Sequence, residues 1–421
     1  MQIGFDISVL RIAQAGVLRY THDLLEELIA QDDAHAWTLL DVLALNRDKP
    51  MQPLAAFNAP NARVVYCQGL ERRYLSMHPS LRHGARHTVA SAVDQLLDQP
   101  WALAATAAMG LQLRSALRHV DVFHSSDQFF YAPPGAASVI TIYDLTTSVH
   151  PEWHVGANTA MHSAKERFAI EQADHVIAIS EATKRDAMRY LQIPEQRITV
   201  VYGAADERFK HYSAEQIKPT LERYQLQHGS YILSIGTVEP RKNYVRLIEA
   251  YALLRHKLQP NVAPVPPLII AGGFGWLYED ILATPEKLGV GQHVRFLGKV
   301  PDADLVSLLN GATAFVYPSL YEGFGLPVLE ALACGTPTIA SNSTSLPEVM
   351  GDAGLYCDPY DAGSIAQRIA ELLNNPAYAA QLGRAGLARA GVFSWQRAAQ
   401  ETLAVYAHAA DAKRFKQKGR Q

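Results

Sequence analysis

The stretch Pro318-Ser319-Leu320-Tyr321-Glu322-Gly323-Phe324-Gly325-Leu326-Pro327-Val328-Leu329-Glu330-Ala331 decides how this chain is read. It follows Ala314–Tyr317, a short apolar run with the composition of a buried strand. Pro327 suits the first turn of a helix, where its missing N–H costs nothing. Gly323 to Leu326 then form a tight loop whose amides reach a ligand without side-chain obstruction, and a helix N-terminus favours anions. Glu322 falls in the loop and Glu330 about one turn into the helix, so both carboxylates can face one ligand while contacting different hydroxyls, as a polyol requires. The plainer reading is an ordinary Gly-Phe-Gly turn with two solvated glutamates; it leaves the coincidence of strand, glycines, proline and paired acids unexplained.

The same strand–loop–helix unit recurs along the chain. Strand-like runs at Gln2–Ile7, Thr38–Leu45, Arg63–Cys67, Val120–His124, Ser138–Tyr143, His175–Ile179 and Ile198–Tyr202 are separated by helix-patterned stretches. A second series runs through Tyr231–Ile235, Leu268–Ala271, Val294–Leu297, Ala314–Tyr317 and Pro337–Ala340. Such alternation predicts an α/β chain with two doubly wound parallel sheets, and the 421 residues accommodate two domains of about 200. The expected division is 1–203, a polar linker at 204–228, a second domain at 229–395, and a C-terminal helix with a basic tail at 396–421, packing back on the first domain. Ligands of open parallel sheets bind beyond the carboxyl ends of the strands, here in an expected central cleft.

Composition narrows the function. With 38 basic against 41 acidic residues the net charge is -3, so no broad basic surface for nucleic acid is available. The three cysteines, Cys67, Cys334 and Cys357, build neither a disulfide framework nor a four-ligand zinc site. Sixteen histidines include His78, His83 and His87 but no His-Glu-x-x-His. The start of the chain lacks the pattern of a secretion signal, and the apolar run Trp101–Leu113 is too short to span a bilayer; a cytoplasmic setting is expected.

A second candidate site is Ser234-Ile235-Gly236-Thr237-Val238-Glu239-Pro240-Arg241-Lys242-Asn243. Two adjacent cations at a helix start oppose its dipole unless an anion lies between them and the amides, and a diphosphate supplies one. A solvated surface pair is the alternative.

Together these residues resemble the retaining GT-B glycosyltransferases with a Glu-x7-Glu motif, often called family 4; Glu322 and Glu330 match it. The likeness runs from Ile3 to about Trp395, is most specific over Gly236–Glu249 and Val294–Gly354, and includes Ala173–Asp186. It implies a GT-B fold of two Rossmann-like domains. It further implies that Glu330 binds ribose hydroxyls of a nucleotide sugar, that Glu322 contacts the transferred sugar, and that Arg241 and Lys242 hold the diphosphate. Gly236, Gly323, Phe324, Gly325 and Leu326 would line the donor through their backbone. No metal or other cofactor is expected, since side-chain cations stabilise the departing diphosphate and no Asp-x-Asp follows a strand. The form of the motifs is most like mannosyltransferases of surface polysaccharide assembly (O-antigen or exopolysaccharide), implying GDP-mannose as donor and a saccharide or lipid-linked saccharide as acceptor. A UDP-sugar enzyme and a silent nucleotide-sugar binder are the alternatives.

In the first half the family's glycine-rich turn is matched only in part by Ala15-Gly16-Val17-Leu18, so Gly16 alone carries over as a backbone group near diphosphate or acceptor. Tyr143 stands where the family has a histidine, followed by Asp144, which either orients a sugar hydroxyl or caps a turn. His124, ending a predicted strand, either approaches the acceptor or is a satisfied core histidine. Arg72, Arg73, Arg82 and Arg86 with the basic tail Lys413–Arg420 suggest peripheral contact with an anionic membrane, or a solvated helix face. A dinucleotide-dependent dehydrogenase is disfavoured, because Ala271-Gly272-Gly273-Phe274-Gly275-Trp276 does not give Gly-x-Gly-x-x-Gly.

Overall fold

The computed structural model describes residues 1–11, 15–42, 55–67, 110–127, 129–154, 156–256 and 265–418. The chain divides into two compact units, residues 1–203 with 395–421, and residues 204–394.

Among the described residues, the first unit holds a seven-stranded sheet and the second a six-stranded one. The first comprises β1 (Gln2–Asp6), β2 (Ala36–Val42), β3 (Ala62–Cys67), β4 (Val122–Ser125), β5 (Ala137–Ile142), β6 (His175–Ala178) and β7 (Ile198–Val200), in the order β3-β2-β1-β4-β5-β6-β7. The second comprises β8 (Ile232–Ile235), β9 (Leu268–Ala271), β10 (Val294–Gly298), β11 (Ala314–Tyr317), β12 (Thr338–Ser341) and β13 (Leu355–Cys357), in the order β10-β9-β8-β11-β12-β13. Every pairing is parallel. Helices cover both faces of such sheets, which is why β4, β5, β6, β8, β9, β11 and β12 are buried at every position and are mostly apolar with no alternation of polar residues. Strand order reverses between β1 and β4 and again between β8 and β11, so each sheet has a switch point where loops diverge.

Two expectations change. The polar interval 204–228 is no simple linker: it carries the helix Ala214–Arg223, opened by a reciprocal capping box between Ser213 and Gln216, and it belongs to the second unit. Pro219 inside that helix disguised it, yet Ile217 and Leu221 are buried, and Asn310 Oδ1 accepts the Tyr212 N–H at 2.8 Å. Strand β13 was not anticipated; its three residues carry no periodic signal and become a strand only through the ladder to β12, Ile339 against Leu355.

The C-terminal helix Trp395–Lys418 belongs to the first unit, where Trp395, Tyr406, Ala409 and Ala410 are buried. Its basic end is partly neutralised there: Lys413 pairs with Asp174 at 2.8 Å and Arg414 with Asp121 at 2.7 Å. Those two cations therefore do not form a free basic patch. Arg72, Arg73, Arg82 and Arg86 lie outside the described residues. Among the described residues no helix is long and apolar enough to cross a membrane.

Candidate active site

At the switch point of the second sheet, the loops after β8 and β11 meet. The first turns through Pro240–Lys242 as a single 3-10 turn, and Asn243 then takes a left-handed conformation (φ 61°) before the helix Tyr244–His256 begins. Arg241 and Lys242 thus sit on a turn ahead of the helix, not in its first turn. The second loop runs from Pro318 to Gly325 into the helix Leu326–Ala333. Gly325 closes it with φ 112°, and a Cβ there would approach Leu346 Cδ2 to 2.6 Å, so no other residue fits without displacement.

Arg241 O joins the two loops, accepting the Leu320 N–H at 2.9 Å and the Ser319 hydroxyl at 3.1 Å. Glu322 is the centre of the cluster. Its Oε1 receives Lys242 Nζ at 2.6 Å, the Tyr317 hydroxyl at 2.8 Å and the Ser319 hydroxyl at 2.6 Å, while Oε2 receives Arg241 Nη1 at 3.0 Å. Arg241 also pairs with Glu239 at 2.9 Å, and Lys242 donates to the Tyr317 hydroxyl at 2.7 Å. Burial by itself would raise the Glu322 carboxyl, but Lys242 and Arg241 hold it down to about 2. In Lys242, burial and the neighbouring Arg241 lower the ammonium, and Glu322 opposes them. The charge that offsets these cations is thus supplied by the protein itself, where an anionic ligand had been expected to be needed.

Glu330 lies in the helix Leu326–Ala333 and is 2% exposed. The loop between the acids is braced from below: Thr344 Oγ1 accepts the Glu322 N–H at 3.0 Å, and the Ser345 hydroxyl donates to the carbonyls of Glu322 at 2.9 Å and Phe324 at 2.7 Å. Phe324 points inward against Phe393, with centroids 5.8 Å apart. Sequence reasoning missed Tyr317, Ser319, Glu239, Thr344 and Ser345. The hydroxyl run Ser341-Asn342-Ser343-Thr344-Ser345 after a strand is the signal that would have found the last two. Among the described residues no three His, Cys, Asp or Glu side chains group as metal ligands.

Comparison with known proteins fits this geometry. The family described as "Glycosyl transferases group 1" matches residues 222–389, and "Glycosyltransferase Family 4" matches residues 15–209. The O-antigen chain mannosyltransferase B of Escherichia coli is 36% identical over 69% of this chain and 76% of its own length. This chain belongs to the family 4 glycosyltransferases. The serotype-specific mannosyltransferase WbdA of Escherichia coli is 35% identical over 62% of this chain, which spans only 32% of that protein. Among solved structures, a glycosyltransferase from Rickettsia africae ESF-5 superposes with TM-score 0.67, covering 97% of this chain and 98% of the other at 15% identity. The fold is that of the GT-B glycosyltransferases.

In the first unit of this glycosyltransferase, the structure redirects several expected site residues. His124 is a core histidine: its Nδ1 pairs with the Tyr406 hydroxyl at 2.6 Å and Nε2 with the Thr141 hydroxyl at 2.8 Å, and burial lowers its pKa to about 3. It is 1% exposed and does not face an acceptor. Tyr143 is also buried, its hydroxyl paired with Thr21 at 2.8 Å and its ring 4.7 Å from Lys165 Nζ. Burial pushes that phenol well up, which removes it further from proton transfer at neutral pH. Asp144 is half-buried, and its Oδ1 accepts the Thr146 N–H at 3.0 Å, the bond of a turn cap. Gly16 lies within the first turn of the helix Ala15–Ala30, not in a glycine turn, and is exposed.

Proposed function

We propose that the chain is a retaining mannosyltransferase that moves mannose from GDP-mannose to a saccharide or lipid-linked saccharide in the assembly of a surface polysaccharide. The observation that carries this reading is the convergence of Arg241 and Lys242 on the loop bearing Glu322, ahead of the helix bearing Glu330. The mannosyltransferase relatives support the choice of sugar.

The chemistry asked of this cluster is charge stabilisation. As the anomeric C–O bond breaks, negative charge grows on the departing diphosphate, and fixed cations stabilise it most in the transition state. Glu322 has its oxygens engaged by two cations and two hydroxyls, so in this proposal it serves to hold Arg241 and Lys242 in place and is neither proton donor nor nucleophile. The acceptor oxygen forms its new bond on the face the diphosphate leaves, and its proton passes to the diphosphate, which accounts for retention. Glu330 binds the ribose in this scheme, and no divalent ion takes part.

The test is a donor panel. GDP-mannose, GDP-fucose, UDP-glucose, UDP-N-acetylglucosamine and a dTDP-sugar are presented to the purified protein, with thermal protection and slow hydrolysis recorded, with and without EDTA. GDP-mannose is expected to protect most and to yield the α-anomer, unaffected by chelation. Preferential protection by a UDP-sugar would replace the donor, and loss of turnover with EDTA would overturn metal independence.

A further inference from the structure

We infer that the loop after β9 carries the platform for the donor's nucleobase, with Phe274 as the ring on which the base stacks; the inference rests on the donor reading above. Phe274 and Leu277 are 51% and 54% exposed within one short loop, Gly272-Gly273-Phe274-Gly275-Trp276-Leu277-Tyr278. Large apolar side chains clustered in water mark a binding surface more often than a lone one does. The Phe274 ring is also supported from behind, stacked on Tyr278 with centroids 5.3 Å apart and planes 30° apart.

This loop is fixed to the cation-bearing one. The Val238 N–H donates to Gly273 O at 2.8 Å, and the Gly275 N–H returns to Val238 O at 3.0 Å. A Cβ on Gly272 would fall 1.9 Å from Gly236 O, and one on Gly275 would fall 2.7 Å from Thr237 Cγ2. Both glycines are therefore required for the close approach, and Leu277 accepts a left-handed φ of 55° to complete the turn. The result is an exposed aromatic ring on the loop after the neighbouring strand, hydrogen-bonded through Gly273 and Gly275 to the loop that holds Glu239, Arg241 and Lys242. A diphosphate seated on those cations would extend its nucleoside towards such a neighbour. A base offers a π-face for stacking, and a purine covers more of the ring than a pyrimidine does.

The test compares wild type, Phe274→Ala and Phe274→Trp by calorimetric titration with GDP, UDP and inorganic pyrophosphate. The expected result is that Phe274→Ala loses roughly tenfold in GDP affinity, loses less for UDP, keeps its pyrophosphate affinity, and is restored by tryptophan. In turnover the same variant raises the donor KM with little change in kcat. Unchanged GDP affinity in Phe274→Ala overturns the inference, as does an equal loss for pyrophosphate, which would make the loop a support of the cation site alone. If wild type binds none of the three, the donor reading itself fails.

Discussion

Lys242 is 9% exposed at its side chain, and its ammonium is shared between a phenol and a carboxylate. Replacing it by alanine removes a positioned cation while Glu322 keeps Arg241. Lys242→Ala is expected to lower kcat/KM for transfer by roughly 10²-fold or more, about 3 kcal/mol, with Tm as the control for folding; unchanged turnover would remove Lys242 from the mechanism. Glu322→Gln asks a different question, because it leaves two cations without their buried counter-charge. A loss of about 3–5 kcal/mol in urea unfolding is expected at neutral pH. The sign with pH follows from the depressed carboxyl. The stabilisation from the ionised Glu322 is fully present above its ordinary value of 4.5 and is lost as pH falls through about 2. The wild-type and Glu322→Gln stability curves should therefore run parallel above pH 4.5 and converge below it; a gap that widens on acidification would contradict the pairing.

At the scale of elements, the strands were legible because parallel strands buried on both faces write themselves as short β-branched runs, and the observed ends of those anticipated lie within a few residues of the reading. The β11–loop–helix unit was legible to within one residue, the helix opening at Leu326 and not after it, since Gly325 and Pro327 each serve a backbone need that few other residues meet. The helix Ala214–Arg223 was hidden by Pro219, whereas the return of the C-terminal helix to the first unit was anticipated. That helix is held to the first sheet through the bond between Tyr406 and His124. Tyr406→Phe leaves a buried imidazole nitrogen without its partner and should cost about 1–3 kcal/mol in urea unfolding of the first unit. A change within error would mean that packing alone anchors the helix there.

Across the whole molecule the two units differ in connectivity. The second is continuous from Ala204 to Ser394, whereas the first needs the return of residues 395–421. A chain ending at Ser394 uncovers the surface that Trp395, Tyr406, Ala409 and Ala410 bury, and it leaves Asp174 and Asp121 without their cations. Hydrogen exchange on this truncation should show amide protection lost in β1, β4 and β5 and kept in β8, β9 and β11. Equal loss in both sheets would show that the units do not fold independently.

Sequence by itself determined the α/β class, the two parallel sheets and the residues of the cation and carboxylate loops, because strand burial, glycine at left-handed φ and proline at a helix start are local demands visible in local sequence. Only the tertiary structure decided what those residues do to one another. Whether Arg241 and Lys242 await an anion or already hold Glu322, and whether His124 and Tyr143 face solvent or core, depends on partners 17 to 282 residues away in the chain. Such pairings are set by strand order and burial, and neither is written in the neighbourhood of the residues concerned.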